Sequence, residues 1–235
     1  MSIAQNVAAI RQKITEAAVN AGRDPKTVLL CAATKMNDAQ AVQQAIAAGV
    51  DCCGENRVQE LTVKQAQNAY AGAPVHFIGH LQTNKVKNVV GKVSLIQSVD
   101  SQHLAEAIQT QAQKIGIIQD ILLEVNIAGE ASKSGFSVPE LYSFLEKCGQ
   151  FSNIRVRGLM AIPPITENST DNHKFFQEMY NLSVDITAKK YDNVWVDILS
   201  MGMSDDFADA IACGSTMVRV GTAIFGARDY VSSHP

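Results

Sequence analysis

The chain has 235 residues, 46% hydrophobic and 18% charged, which is long enough and apolar enough for a large core. Twenty Lys and Arg against 23 Asp and Glu leave a net charge of −3, which argues against a nucleic acid or an anionic membrane as partner. No run of eighteen apolar residues exists to form a membrane span, and the N-terminus lacks the basic and apolar regions of a secretory signal, so a cytoplasmic protein is expected.

Ile3, Val7, Ile10 and Ile14 share one helical face, so residues 2–20 read as an amphipathic helix closed by Gly22. Val28 to Thr34, VLLCAAT, is a continuous apolar run, as expected of a strand buried on both faces, and Lys35 stands at its C-terminal end. A helix capped by Asn37 or Asp38 follows. The unit then repeats. Strands are expected at 51–54, 75–79, 95–98, 119–126, 155–160, 194–199 and 217–220. Helices are expected between them at 55–69, near 83–90, at 101–114, from a Ser137/Glu140 capping box to Gly149, and then one with Phe175, Met179, Leu182 and Ile186 on one face. Ser204 is expected to cap a last short helix with Phe207, Ala210 and Ile211 on its apolar face.

Eight strands alternating with helices, preceded by one extra helix, define a parallel α/β protein. The predicted fold is a single (β/α)8 TIM barrel occupying residues 1–235 as one domain, with a monomer as the default assembly. An open doubly wound sheet is the rival. The absence of G-x-G-x-x-G after the first strand counts against it. The five cysteines, Cys31, Cys52, Cys53, Cys148 and Cys213, are odd in number and sit in apolar patterns, as small buried hydrophobes do in a reducing compartment.

In such a barrel the functional face is the C-terminal end of the strands. The candidates there are Lys35, Asn56, His80, Asn126, Met160, Ser200 and Arg219. The turns Ser200-Met201-Gly202 and Gly221-Thr222 follow the last two strands and expose backbone N–H groups, which suits a phosphate. Asp205 and Asp206 must point away from such an anion. A partly desolvated lysine forms a Schiff base with a carbonyl, although snorkelling to solvent is the commoner fate. Lysine and phosphate nest together suggest an aldehyde bearing a phosphate. Pyridoxal 5′-phosphate and a phosphorylated sugar both qualify. Arg219, inside a strand, needs a partner: either an inward carboxylate such as Glu124 or Asp197, or the ring nitrogen of a pyridine. His76 and His80 span a strand and a turn, so no metal site is expected from their spacing. Lys85, Lys87 and Lys133 read as solvated.

The segments Ala33-Thr34-Lys35, Gly54 to Glu60 (GENRVQE), His76 to Lys85 (HFIGHLQTNK), Ser132 to Gly135 (SKSG), Arg157 to Met160 (RGLM), Leu199 to Asp205 (LSMGMSD) and Val218 to Gly226 (VRVGTAIFG) run in order along nearly the whole chain. They resemble the pyridoxal-phosphate homeostasis family (YggS/PROSC). The resemblance implies a barrel similar to the N-terminal domain of alanine racemase, with pyridoxal phosphate as a Schiff base on Lys35. It implies that Ser200, Gly202, Gly221 and Thr222 hold the phosphate, that Arg219 faces the pyridine nitrogen, and that Asn56, His80 and Met160 line the pocket. The family often has lysine or proline shortly after the Schiff-base lysine. Here Met36-Asn37-Asp38 follow, which makes the entrance less basic. The implied role is non-catalytic storage and delivery of the cofactor within vitamin B6 homeostasis, with apo pyridoxal-phosphate enzymes as recipients. An amino-acid racemase is the alternative. It needs a second base, and none of Tyr70, Tyr142, Tyr180, Tyr191 and Tyr230 falls at a strand's C-terminal end. A lysine-dependent aldolase acting on a sugar phosphate is a third reading, and it predicts a colourless protein.

Overall fold

The computed structural model describes residues 1–130, 133–164 and 169–226. Residues 131–132 with Ser132, residues 165–168, and residues 227–235 with Tyr230 lie outside the described residues. The strands β1 (Leu29–Ala33), β2 (Cys52–Glu55), β3 (Val75–Phe77), β4 (Leu95–Val99), β5 (Gln119–Glu124), β6 (Ile154–Met160), β7 (Val194–Ser200) and β8 (Met217–Val220) form a closed barrel in chain order. Every neighbouring pair is parallel, including β1 with β8. The expected (β/α)8 barrel is therefore observed, and the open sheet is not.

The helices are α1 (Ile3–Asn20), α2 (Ala39–Ala47), α3 (Val58–Ala66), α4 (Gln102–Ile115), α5 (Val138–Leu145), α6 (Ser169–Lys189), α7 (Phe207–Ala212) and α8 (Thr222–Phe225). Several begin where side chains satisfy their first N–H groups. Ser2 and Gln5 form a capping box on α1, and Ser137 and Glu140 another on α5. Asp38 caps α2 and Ser101 caps α4.

Three expectations change. The segment near 83–90 is a 3₁₀-helix, Thr83–Asn88, and not an α-helix. The buried face of α6 is led by Phe176, not Phe175, which is half-buried. Ser204 does not cap α7. It turns toward the end of β8 instead.

Side chains alternate along each strand. The outward set, such as Phe77, Ile96, Ile121, Leu123 and Leu159, packs under the helices in the main core. A second cluster explains the extra helix. Helices α7 and α8 span only 6 and 4 residues, too short to cover the outside of β8 and β1. Val7, Ile10, Ile14 and Ala18 of α1 lie over Leu30, Ala32, Val218 and Val220 and complete that wall. Each fully buried Ile or Val there contributes about 1.5–3 kcal/mol relative to exposure. Strands β6 and β7 approach so closely that a Cβ on Gly158, at φ 146°, would stand 1.8 Å from the Ile198 carbonyl oxygen. Among the described residues no helix is long and apolar enough to cross a membrane.

Candidate functional site

Because all eight strands are parallel, their C-terminal ends open on one mouth. Lys35 follows β1, Asn56 follows β2 and His80 lies beyond β3. Asp100 follows β4, and Glu124, Met160 and Ser200 end β5, β6 and β7. Arg219 is the third residue of β8, and Gly221-Thr222 follow it. The predicted site residues thus share one face of the barrel, but in two groups with different surroundings.

The turn carrying Lys35 is clamped from outside the barrel. Thr34 N–H donates to the Gly54 carbonyl at 2.9 Å, and its hydroxyl donates to the Glu55 carboxylate. Lys64 reaches in from α3 and donates to the Thr34 carbonyl at 2.7 Å and to Glu55 Oε1 at 2.6 Å. Both charges of that pair are buried, with Glu55 fully so. On the other side of Lys35, Met36 sits at φ 61° and donates its N–H to Glu60 Oε2 at 2.5 Å. Asn37 Nδ2 donates to the Lys35 carbonyl at 3.0 Å. Backbone held at four points fixes where the lysine side chain leaves the chain. The sequence reading missed Glu55 and Lys64. A signal existed: Lys64 lies three residues after buried Leu61, on the inward face of α3.

A cavity of 290 Å³ opens at the C-terminal ends of β2, β3 and β5, lined among others by Asn56, His80, Glu124, Asn126 and Lys133. Asn56 Oδ1 is buried there without a hydrogen-bond partner. His80 Nδ1 lies 3.2 Å from Asp100 Oδ2, at the exposed rim. Burial pushes the Glu124 carboxyl up, with Asp100 adding to it, while Arg219 and His80 oppose the rise. Asn126 ties down the loop above by donating to the Glu130 and Lys133 carbonyls. Lys133 itself pairs with Glu130 at 3.1 Å.

Across the mouth, Arg219 is buried with neither expected carboxylate as its partner. Its Nη1 donates to Ser200 Oγ at 2.6 Å and to the Ser200 carbonyl at 2.8 Å, and its Nη2 to the Ala161 carbonyl at 2.9 Å. Asp197 instead pairs with Arg157 on the outside. Burial pushes the Arg219 guanidinium down, but arginine keeps its charge in proteins. Ser200 is fully buried. Its hydroxyl donates to Gln97 Oε1 at 2.7 Å while accepting from Arg219, so it orients the arginine. Met160 is also fully buried and forms part of the apolar floor with Leu122 and Ile198.

The two glycine turns meet as expected. Gly202 takes φ 92° and its carbonyl accepts the Arg219 N–H at 3.0 Å. The N–H groups of Gly221 and Ala223 converge on Ser204 Oγ, at 3.3 and 3.4 Å. Ser204, read from sequence as a helix cap, therefore stands where an anion's oxygen would be contacted. Asp206 turns away from that point: its carboxylate accepts from Met203 N–H at 2.6 Å and from Asn172 Nδ2 at 3.1 Å.

Fold and mouth define a (β/α)8 protein in which a clamped lysine turn, a buried guanidinium and converging N–H groups lie at the C-terminal ends of the strands. Residues 2–229 match the family described as alanine racemase, N-terminal domain. A pyridoxal phosphate homeostasis protein of Pseudomonas aeruginosa is 43% identical over 229 residues, covering 97% of each chain. One of Aquifex aeolicus is 40% identical over 98% of this chain and 100% of its own. The chain belongs to the pyridoxal phosphate homeostasis protein family. Among solved structures, PipY of Synechococcus elongatus with pyridoxal phosphate bound is 32% identical with a TM-score of 0.84, over 96% of this chain and 100% of that one. An alanine racemase of Clostridium difficile has a TM-score of 0.71 at 15% identity, over 97% of this chain and 58% of that one, and shares the fold alone.

Proposed function

We propose that this chain, acting as one ligand-binding unit, holds pyridoxal 5′-phosphate at the barrel mouth with the aldehyde carbon joined to Lys35 Nζ, and that it stores and delivers the cofactor without catalysing its own reaction. The observation that carries this is the convergence at one mouth of a clamped lysine, the Gly221 and Ala223 N–H groups and the buried Arg219. The donor set fits the group. An anion suits the converging N–H groups, and the orphaned Asn56 Oδ1 offers a buried acceptor beside the cavity. When bound, the cofactor supplies an electrophilic carbon to which an amine adds.

The chain's own residues do the rest. Glu55, Lys64 and Glu60 hold the turn that presents Lys35. Gly202, Gly221 and Thr222 supply backbone for the phosphate, and the Ser204 hydroxyl shares that work. Ser200 aims Arg219 rather than touching the phosphate, and Met160 forms the floor. Asn56 and His80 line the wall. Arg219 uses three of its five N–H donors on Ser200 and Ala161, leaving two for a ring nitrogen. A fixed cation there keeps that nitrogen unprotonated, which makes the ring a poor electron sink and suits holding over turnover.

Racemisation needs a base on each face of the substrate carbon. Tyr142 is committed to Asp185, and Tyr70 is buried in the main core, where its hydroxyl feels Glu55. Tyr180 and Tyr191 belong to α6 and the turn after it. No tyrosine among the described residues stands at the mouth. We infer a cytoplasmic monomer that hands its ligand to apo-enzymes. The test is visible absorption of the purified protein incubated with pyridoxal phosphate. Borohydride reduction and peptide mass spectrometry then locate the attached group. A band lost in Lys35→Ala and a label on Lys35 are expected. A colourless protein would leave the aldolase reading, and robust exchange of amino-acid α-protons would make it a racemase.

A further inference from the structure

Below the mouth, the inside of the barrel is divided. On the β4–β7 side Leu95, Leu122, Met160 and Ile198 pack together, and buried Gln97 reaches from among them to His76 and Ser200. The wall from β1 to β3 carries Cys31, Cys52 and His76 instead. Their two sulfurs and a ring nitrogen all lie within 4.8 Å of one another, and all three residues are buried. Cys52 Sγ stands 3.5 Å from His76 Nδ1. The strand register produces the cluster. Cys31 and Cys52 are partners across β1 and β2, and His76 is level with Gly54 one strand on. A Cβ on Gly54 would lie 2.9 Å from Cys31 Sγ, so the glycine leaves the sulfur its space.

We propose that Cys31, Cys52 and His76 bind a single copper(I) ion inside the barrel, beneath the mouth and separate from the ligand site there. Two thiolates and an imidazole are a donor set for a soft d10 ion. Bonds of about 2.3 Å to sulfur and about 2.0 Å to nitrogen hold their donors about 3.5–4 Å apart. The separation of Cys52 and His76 already has that value, and thiol rotation supplies the rest. Three buried donors with no carboxylate in the cluster suit a low-coordinate monovalent ion, whereas zinc on the same Cys2His set needs a water or another fourth ligand brought into the barrel.

Charge points the same way. Copper(I) on two thiolates carries a net −1. Arg219, the register partner of Cys31 on β8, is a buried cation whose hydrogen bonds go to Ser200 and the Ala161 carbonyl rather than to a carboxylate. Zinc on the same donors would be neutral and would add nothing to the field of Glu124 and Asp206 at that cation.

Loading transfers no electrons: the ion replaces the thiol protons, which leave to solvent. Gln97 Nε2, 2.9 Å from His76 Nδ1, gives up that contact if Nδ1 takes the metal. It keeps Met217 Sδ at 3.1 Å, and its oxygen keeps Ser200. The spacing of His76 and His80 conceals the site, because the partners of His76 lie on other strands.

The test is anaerobic titration of the full chain with copper(I) against bicinchoninate, both by direct addition and during refolding from urea, reading metal per chain after gel filtration. One equivalent is expected, with loss in Cys31→Ala and Cys52→Ala, weaker retention in His76→Gln, and no change in Cys148→Ala. Far-UV circular dichroism and the visible band of bound pyridoxal phosphate show that the variants fold. For a variant that does not fold, X-ray absorption on the copper-loaded native chain decides: two sulfur and one nitrogen scatterers are expected. No retention by either route, retention unchanged in the cysteine variants, or a shell lacking two sulfurs overturns the proposal. The readout needs no ligand at Lys35, so failure there and failure here are separable.

Discussion

Lys64 is the side chain on which the Lys35 turn depends. It enters from outside the barrel to neutralise Glu55, and both are buried. Breaking a buried pair from one side leaves an uncompensated charge and destabilises by about 3–5 kcal/mol. Lys64→Met is expected to lose that much in urea unfolding, and Glu55→Gln added to it is expected to recover most of the loss. A loss below about 1 kcal/mol would mean that the pair is solvated. Glu124 behaves oppositely. Its folded pKa lies above the unfolded value because burial disfavours its charge. Its contribution is therefore fully present below the unfolded carboxylate range and is lost as pH rises through the folded pKa. Glu124→Gln is expected to be more stable than wild type at pH 7, in ligand-free protein, with the difference closing as pH falls through the carboxylate range. A difference independent of pH would show that packing, not ionisation, is responsible. Lys35 and Arg219 were legible in the sequence because each is a charge set in an apolar run. Glu55, Lys64 and the turned-in Ser204 were not. Their contacts join residues 17 and 30 apart in the chain that only the packing of neighbouring units brings together, Ser204 with Gly221 and Lys64 with Thr34.

At the scale of elements, the strands were readable from their apolar runs and the helices from their period, because each must bury one face. Their ends were less readable. β3 stops at Phe77, and the chain then crosses so close to β2 that a Cβ on Gly79 would lie 2.1 Å from the Asn56 carbonyl oxygen, a constraint no local pattern records. The purpose of α1 was also invisible, since it depends on how short α7 and α8 are. Helix α1 does more than cover them. Asn6 Nδ2 donates to the Ile224 carbonyl at 2.8 Å and so fastens the C-terminal end of α8, whose first residues carry the Thr222 and Ala223 N–H groups. Asn6→Ala is expected to weaken binding of pyridoxal 5′-phosphate while leaving that of pyridoxal, which lacks the phosphate, unchanged. Equal weakening of both in paired absorption titrations would mean that α1 supports the whole barrel and not the phosphate end.

For the molecule as a whole, the proposed binding mode has the ligand bridge the two groups at the mouth: the Lys35 turn after β1 and the glycine turns after β7 and β8. These lie on both sides of the β1–β8 junction, where the first and last strands of the chain close the barrel. A ligand holding both turns binds only the closed state, so it stabilises folding by mass action. At a free concentration of 100 times its dissociation constant the gain is about 2.7 kcal/mol. At about 2–4 °C per kcal/mol for a chain of this size, the melting temperature is expected to rise by about 5–11 °C. Lys35→Ala keeps the phosphate end but loses the link to β1, so at the same ligand concentration it is expected to show a small fraction of that rise. Inorganic phosphate, which reaches only one turn, is expected to do less than pyridoxal phosphate in both proteins. Calorimetry across a ligand series reads all three. A full shift in Lys35→Ala would place the stabilising contacts at the phosphate end alone, and the bridge across the junction would then contribute nothing to holding the barrel closed.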